Sequence, residues 1–283
     1  MKLLVTGAAG MLGRDVMLAA GNAGHDIVGY GRAELDVTDP AALERKFDLE
    51  RPDVVINCAA WTDVDGAEEA EEAAFAINGS GAGHVAAAAA TQEATVLHVS
   101  TDYVFDGAKG APYVESDQPA PLSAYGRTKL AGEEAVAAAN KRNFIVRSVG
   151  LFGIGGRNFV ETMLQLAETR NEVAVVRDQV GSPTYTWHLA YGIVRLIEGI
   201  EFGIHHMAAA GACSWYEFAR EIFEQAEVEC RVLSATTGML GRPAPRPPYS
   251  ALESQREHAI ELPSWQDGLA GYLAQREMEK ETA

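Results

Sequence analysis

The chain carries few cysteines, and no two of the three lie close together: Cys58, Cys213 and Cys230. That spacing argues against a disulfide framework or a cysteine-based zinc site and leaves buried structural thiols as the expectation. Long apolar runs are missing too. No stretch approaches the ~18 apolar residues of a membrane-spanning helix. The N-terminal run Leu3-Leu4-Val5 turns into glycines too early for a signal peptide. No membrane partner is expected, and the cytoplasm is the expected location. Positive charge is also scarce, with 23 Lys and Arg against 40 Asp and Glu, a formal charge of −17. Such a surface repels nucleic acid and anionic lipid, so neither is expected as a partner. An anionic ligand would need a site that makes its own local positive field.

With 283 residues, the chain can form one large α/β unit or two joined ones. Short, near-continuously apolar segments at 2–6, 25–30, 53–57, 96–100 and 144–147 read as buried strands. Helical patterns separate them at 11–20, from Asp39-Pro40 onward, at 68–90 and at 123–140. Asp39 is a good N-cap, and Pro40 suits the first helical position. This alternation predicts an α/β fold, a Rossmann-type doubly wound parallel sheet covered on both faces. After Arg147 the pattern loosens. Helices are expected at 158–169, 187–198, 215–225 and 266–276, and strands at 173–176 and 205–209. Four prolines in 241–248 exclude regular structure there. The expected division is a dinucleotide-binding domain at 1–147, joined by part of 178–209, and a smaller substrate domain at 148–283.

Gly7, Gly10 and Gly13 follow the first strand and open the first helix. Such a turn needs a glycine at its start, a second where a pyrophosphate approaches the backbone, and a third where helix packs on sheet. The helix N-terminus then offers N–H groups and partial positive charge to phosphates. A purely structural glycine turn is the competing reading, but the position inside a βαβ pattern favours cofactor binding. The second strand ends at Tyr30-Gly31-Arg32. An acidic residue there would accept from a ribose 2′-hydroxyl, whereas the Arg32 guanidinium suits a 2′-phosphate. NADPH is therefore expected over NADH, with Asp36 beside the adenine.

Tyr125 and Lys129 stand four residues apart, on one face of a helix. A free phenol has a pKa near ~10. A nearby ammonium is expected to lower it, so that Tyr125 can pass its proton to a carbonyl oxygen as hydride reaches the carbon. Lys129 can also bind the nicotinamide ribose. Ser100-Thr101 end the fourth strand at the carboxyl edge of the sheet, where a hydroxyl can orient the same carbonyl. Taken singly, Tyr125 is an ordinary helix aromatic and Lys129 a solvated lysine. The ordered set of glycine loop, strand-end hydroxyls and Tyr-x-x-x-Lys favours chemistry.

These residues resemble the dTDP-4-dehydrorhamnose reductase family of extended short-chain dehydrogenases, which use the Gly-x-x-Gly-x-x-Gly variant. The resemblance runs nearly end to end. It rests most on Asn57-Cys58-Ala59-Ala60-Trp61-Thr62-Asp63-Val64-Asp65, the segment from Ser100 to Gly107, Tyr125 to Glu133, and Asp178 to Thr184. It implies a catalytic trio of Thr101, Tyr125 and Lys129. It implies cofactor contacts from Gly7, Gly10, Met11, Leu12 and Gly13, from Asp36 and Val37, and from Ala59 and Ala60. It places Val64, Asp102 and Phe105 near the sugar, and Asn158 and Arg246 near the nucleotide-sugar, where a guanidinium suits a diphosphate. Gly150 departs from the family pattern by replacing a tryptophan that lies against the sugar, leaving a pocket that is wider or filled from elsewhere. Some members bind magnesium through glutamates at a dimer contact. Asp15 and Trp187 stand at those places, so no metal is expected.

His205-His206 point to opposite faces of a strand and read as structural. His98 reads as a satisfied core histidine, Trp215 to Phe218 as core packing, and Cys58 as an unreactive thiol beside the cofactor path. The expected activity is NADPH-dependent reduction of the C4 ketone of a dTDP-linked 4-keto-6-deoxy sugar, by a monomer or homodimer. Two alternatives stay open. One is a nucleotide-sugar epimerase, or another keto-sugar reductase, on the same fold. The other is a non-catalytic subunit like the partner of methionine adenosyltransferase.

Overall fold

The computed structural model describes residues 1–282. In the first half, β1 (Lys2–Thr6) leads through the glycine loop into α1 (Met11–Asn22), and β2 (Asp26–Tyr30) into α2 (Pro40–Glu50). Asp39 caps α2 by accepting from the Ala42 N–H at 3.0 Å, with Pro40 at the first helical position. Next come β3 (Val54–Asn57), α3 (Val64–Glu69), α4 (Glu71–Phe75), α5 (Ala82–Thr91), β4 (Thr95–Thr101), α6 (Ala124–Ala139) and β5 (Asn143–Ser148). The second half contains α7 (Phe159–Ala167), β6 (Glu172–Val176), β7 (Val180–Gly181), α8 (Thr186–Ile197), β8 (Gly203–His206), β9 (Ala209–Ala210) and β10 (Cys213–Ser214). It ends with α9 (Trp215–Gln225), β11 (Arg231–Ala235), α10 (Thr237–Leu240), β12 (Leu262–Ser264) and α11 (Trp265–Thr282).

The main sheet has the order β2-β1-β3-β4-β5-β8, and every pairing in it is parallel. Side chains alternate between its faces. Leu3, Val5, Ile56, Leu97 and Val146 pack against Val16 of α1 and Leu189 and Ile193 of α8. Leu4, Val55, Val96 and Ile145 pack against Phe47 of α2, Val85 of α5 and Val136 of α6. Truncating one of these fully buried leucines to alanine would cost ~2–5 kcal/mol. A second core lies among α7, α9 and α11, where Phe152, Tyr185, Phe218, Leu269 and Tyr272 meet. No helix among the described residues is long and apolar enough to cross a membrane.

Two expectations need correction. The helix expected over 68–90 starts earlier, at Val64, breaks at Ala70, and passes through a π-helical turn, Ala76–Gly81. That turn has a purpose in the packing. It presents Asn78, whose side chain accepts from the Trp61 N–H at 2.8 Å and donates to the Thr128 hydroxyl at 3.1 Å. The loop after β3 is thereby tied to α6. The strand expected over 205–209 stops at His206, and Ala209–Ala210 pairs separately with β12. The short strands β7, β10, β11 and β12 had no sequence signal of their own. α8 and β8 return to the main sheet, α8 packing on α1 and β8 pairing with β5.

Candidate active site

Strand order reverses direction between β1 and β3, so the connections leaving their carboxyl ends run to opposite faces of the sheet and leave a crevice. A cavity of about 800 Å³ opens there. Gly7, Gly10 and Gly13 form its floor. Gly7 has φ +69°, and a Cβ on it would lie 2.6 Å from the Ala59 nitrogen, so only glycine fits between the two loops. A Cβ on Gly13 would lie 2.3 Å from the Gly7 carbonyl oxygen. Gly10, the N-cap of α1, supplies no capping side chain, which leaves the first N–H groups of that helix facing the crevice. This backbone cradle fits the pyrophosphate of a dinucleotide. Met11, Leu12, Arg32, Asp36, Val37, Ala59 and Ala60 all line the same cavity. The Asp36 carboxylate is held by the Thr38 N–H and hydroxyl, which keep its pKa below the usual range.

Thr101, Tyr125 and Lys129 meet on the cavity wall. Ser123 caps α6 by accepting from the Gly126 N–H at 3.1 Å. A Cβ on Gly126 would sit 2.2 Å from the Tyr103 carbonyl oxygen, so glycine lets α6 press against the chain just beyond β4. Between α6 and the sheet, Glu133 forms a buried bidentate pair with Arg147 at 2.6–3.2 Å and accepts from the Ser100 hydroxyl. The Ser100 hydroxyl is thus engaged inside the protein, and Thr101 supplies the strand-end hydroxyl of the site. Its Oγ1 donates to Asp102 Oδ1 at 3.0 Å and interacts with the Tyr125 phenol.

The expected lowering of the Tyr125 pKa is not found. Burial pushes the phenol well above its usual value, and the Thr101 hydroxyl only partly opposes this. Lys129 does not compensate. Its Nζ donates to the Val99 carbonyl at 2.6 Å and lies 3.3 Å from His98 Nε2, and burial lowers its pKa to about 8. A protonated Tyr125 is still the form that a proton donor requires. Asp102 is pushed up to about 6 by burial, against bonds from Ser250 and Thr101. Cys58 lines the cavity, and burial drives its thiol up to about 12, the inert form expected.

The substrate side differs more from expectation. Val64 and Asp102 are on the cavity wall, but Phe105, Asn158 and Arg246 are not among its lining residues. Phe105 is fully buried and stacks on Tyr113 with ring centroids 4.2 Å apart. Asn158 caps α7 through the Glu161 N–H at 3.0 Å and donates to the Gly153 carbonyl at 2.8 Å, fixing the loop that lies over Met11. The Arg246 guanidinium grips both carboxylate oxygens of Asp65 at 3.0 Å. Local spacing carries no trace of a partner 181 residues away.

The space expected at Gly150 is filled. A Cβ there would come within 3.0 Å of the Trp215 ring, and Trp215 lines the cavity. Trp215 thus does more than pack a core, and the tryptophan missing from one segment is supplied by another. Sequence reasoning also missed Arg157, Gln179 and Ser148 on the wall. Only the glycines around Arg157 hinted at a loop near a ligand. Asp15, 3% exposed, packs at the α1–α8 contact, and burial raises its carboxyl to about 6. No group of side chains suited to a metal ion occurs among the described residues.

Comparison with known proteins places this geometry in context. The family model described as the RmlD substrate binding domain matches residues 1–278. The chain is 41% identical over 277 residues to the spore coat polysaccharide biosynthesis protein SpsK of Bacillus subtilis (strain 168), covering 97% of this chain and 98% of that one. It is 43% identical over 284 residues to the dTDP-4-dehydrorhamnose reductase of Mycobacterium tuberculosis (strain H37Rv), covering 96% and 92%. Among solved structures, the dTDP-4-dehydrorhamnose reductase of Bacillus anthracis in complex with NADP superposes with a TM-score of 0.94 at 38% identity, covering 97% and 99%.

Proposed function

The chain belongs to the RmlD substrate-binding family, and from that membership we propose that it is an NADPH-dependent reductase of the C4 ketone of dTDP-4-dehydrorhamnose, giving dTDP-rhamnose. One observation carries the reading. A single cavity has a glycine cradle fit for a dinucleotide at one end and Thr101, Tyr125 and Lys129 together on its wall. The B. anthracis relative, similar over nearly its whole length, is a reductase in complex with NADP, and Arg32 lines the cavity here as a cation suited to a 2′-phosphate.

A nicotinamide cofactor bound in the cradle would supply hydride to the carbonyl carbon. The residues of this chain do the rest. The N–H groups at the start of α1 hold the pyrophosphate, and Arg32 takes the 2′-phosphate. Asp36 and Val37 border the adenine, and Ala59 and Ala60 line the path to the nicotinamide. Tyr125, kept protonated by burial, donates its proton to the carbonyl oxygen. Thr101 hydrogen-bonds that oxygen and orients it. Lys129 lies behind Tyr125 and meets the ribose. Val64 and Asp102 border the sugar, with Trp215 across the gap left by Gly150. Asn158 and Arg246 act on the nucleotide-sugar at one remove, by holding the loops that enclose it. Residues 1–147 with the returning segment 186–206 form the cofactor unit, and the remainder of 148–283 shapes the sugar side.

The test is NADPH oxidation with dTDP-4-dehydro-6-deoxymannose, followed by identification of the sugar formed. Stoichiometric NADPH consumption with appearance of the 6-deoxyhexose is expected. Interconversion of nucleotide-sugars with no net NADPH consumption would point to an epimerase and refute the reading.

A further inference from the structure

Hydrogen-bond parity around Lys129 determines more than the position of its nitrogen. Asn57 is fully engaged behind the site. Its Oδ1 accepts from the Ala59 backbone N–H at 3.2 Å and from the Thr6 hydroxyl at 2.7 Å. A backbone N–H can only donate, so the atom facing it is the amide oxygen, and the other arm of Asn57 is the NH2 group. That NH2 lies 3.1 Å from His98 Nδ1. It can only donate, so Nδ1 must be bare. His98 is fully buried and held neutral, which puts its one proton on Nε2. Nε2 in turn lies 3.3 Å from Lys129 Nζ.

We propose that His98 is a positioning residue for Lys129: with its tautomer locked by Asn57, the ring directs Nε2–H at the lysine nitrogen and favours that nitrogen as a neutral hydrogen-bond acceptor. An ammonium at this place would meet a donor head-on. A neutral amine satisfies both neighbours, giving one N–H to the Val99 carbonyl and accepting one from His98. The surrounding groups leave this assignment intact. Cys58 at the end of β3 is a neutral thiol, Tyr125 one turn earlier is a neutral phenol, and Glu133 one turn later is taken up by Arg147 and Ser100. At Arg147, fourteen residues along the chain from Glu133, the fold uses the opposite polarity. His206 Nδ1 faces the Tyr113 and Glu253 carbonyls, which require a proton on Nδ1, so its bare Nε2 faces the Arg147 guanidinium at 3.5 Å. The buried Arg147 guanidinium is thus offered an acceptor ring and the Lys129 nitrogen a donor ring. The catalytic importance of the device rests on the function proposed above, but both measurements that test it use the free protein, so failure of turnover and failure of the device are separate outcomes.

The tautomer can be read without any substitution, from two-bond 1H–15N correlations of the histidine rings. His98 is expected to be protonated on Nε2 and bare on Nδ1. The 13Cε resonance of Lys129, assigned by its loss in Lys129→Met, reports protonation of the amine. In His98→Phe, which keeps a buried ring but removes the donor, the Lys129 midpoint is expected to rise by about one pH unit. A proton on Nδ1, or a midpoint that stays put or falls in His98→Phe as a merely desolvating ring would leave it, would overturn the proposal.

Discussion

Across the cavity, the wall made by the glycine loop, the chain after β3 and α6 faces one made by residues from 148–157, 179–181, 215 and 247–250, and the two are assembled differently. On the first wall every expected cofactor residue lines the cavity, and their reach comes from short-range features: a positive-φ glycine, a helix N-terminus without a side-chain cap, two side chains one helical turn apart. At and behind the second wall, polar side chains are spent on the protein itself. Arg246 is bound by Asp65, Asn158 caps α7, and Ser250 is tied to Asp102. The contrast teaches that chemistry and cofactor need fixed local geometry. The partner-specific wall is shaped instead by long-range contacts that position loops.

If that division holds, substitutions on the two walls should fail in different ways. Tyr125→Phe removes the phenol proposed as proton donor and keeps the ring. Turnover should drop by about 10²- to 10⁴-fold, while NADPH affinity measured by fluorescence changes little. Equal loss of both would break the division. Gly7→Ala forces a Cβ to within 2.6 Å of the Ala59 nitrogen at φ +69°. It should cost about 1–3 kcal/mol of stability, read as a lower Tm, and weaken NADPH binding roughly tenfold or more. Normal cofactor affinity in a folded Gly7→Ala protein would show that the close approach of the two loops is dispensable. Trp215→Ala acts on the opposite wall and empties the space beside Gly150. The KM for the nucleotide-sugar should rise by several-fold to about tenfold, the worth of roughly 1 kcal/mol of lost contact, while NADPH affinity stays as in the parent protein. A change confined to NADPH affinity would move Trp215 to the cofactor wall.

The sheet was largely legible in advance, because buried parallel strands read as apolar runs and the helices between them as periodic ones. Asp39 and Ser123 marked helix starts that the structure confirms. The π turn at 76–81 was invisible, since a helix that inserts one extra residue keeps the same composition as a regular one. Two-residue strands such as β7 and β10 carry too few side chains for a period to show. On the site itself, Trp215 read as core because its aromatic neighbours Phe159 and Phe218 do belong to one, and its second contact, with Gly150, is far away in sequence. His98 read as a satisfied core histidine and is one. That its satisfaction runs from Asn57 to Lys129 becomes visible only once β3, β4 and α6 lie side by side.

Glycine placement, strand-length apolar runs and a Tyr-x-x-x-Lys turn are properties of residues within a few positions of each other, so the order of amino acids was enough to set the fold class, the glycine loop at the sheet edge and the pairing of Tyr125 with Lys129 on one helix. Packing settled the rest: which hydroxyl reaches the cavity, which arginine is held by a carboxylate, which tryptophan fills the gap, and which ring nitrogen faces the lysine. Each of those depends on donors and acceptors brought within about 3 Å from distant parts of the chain, and such pairings leave no periodic mark along it.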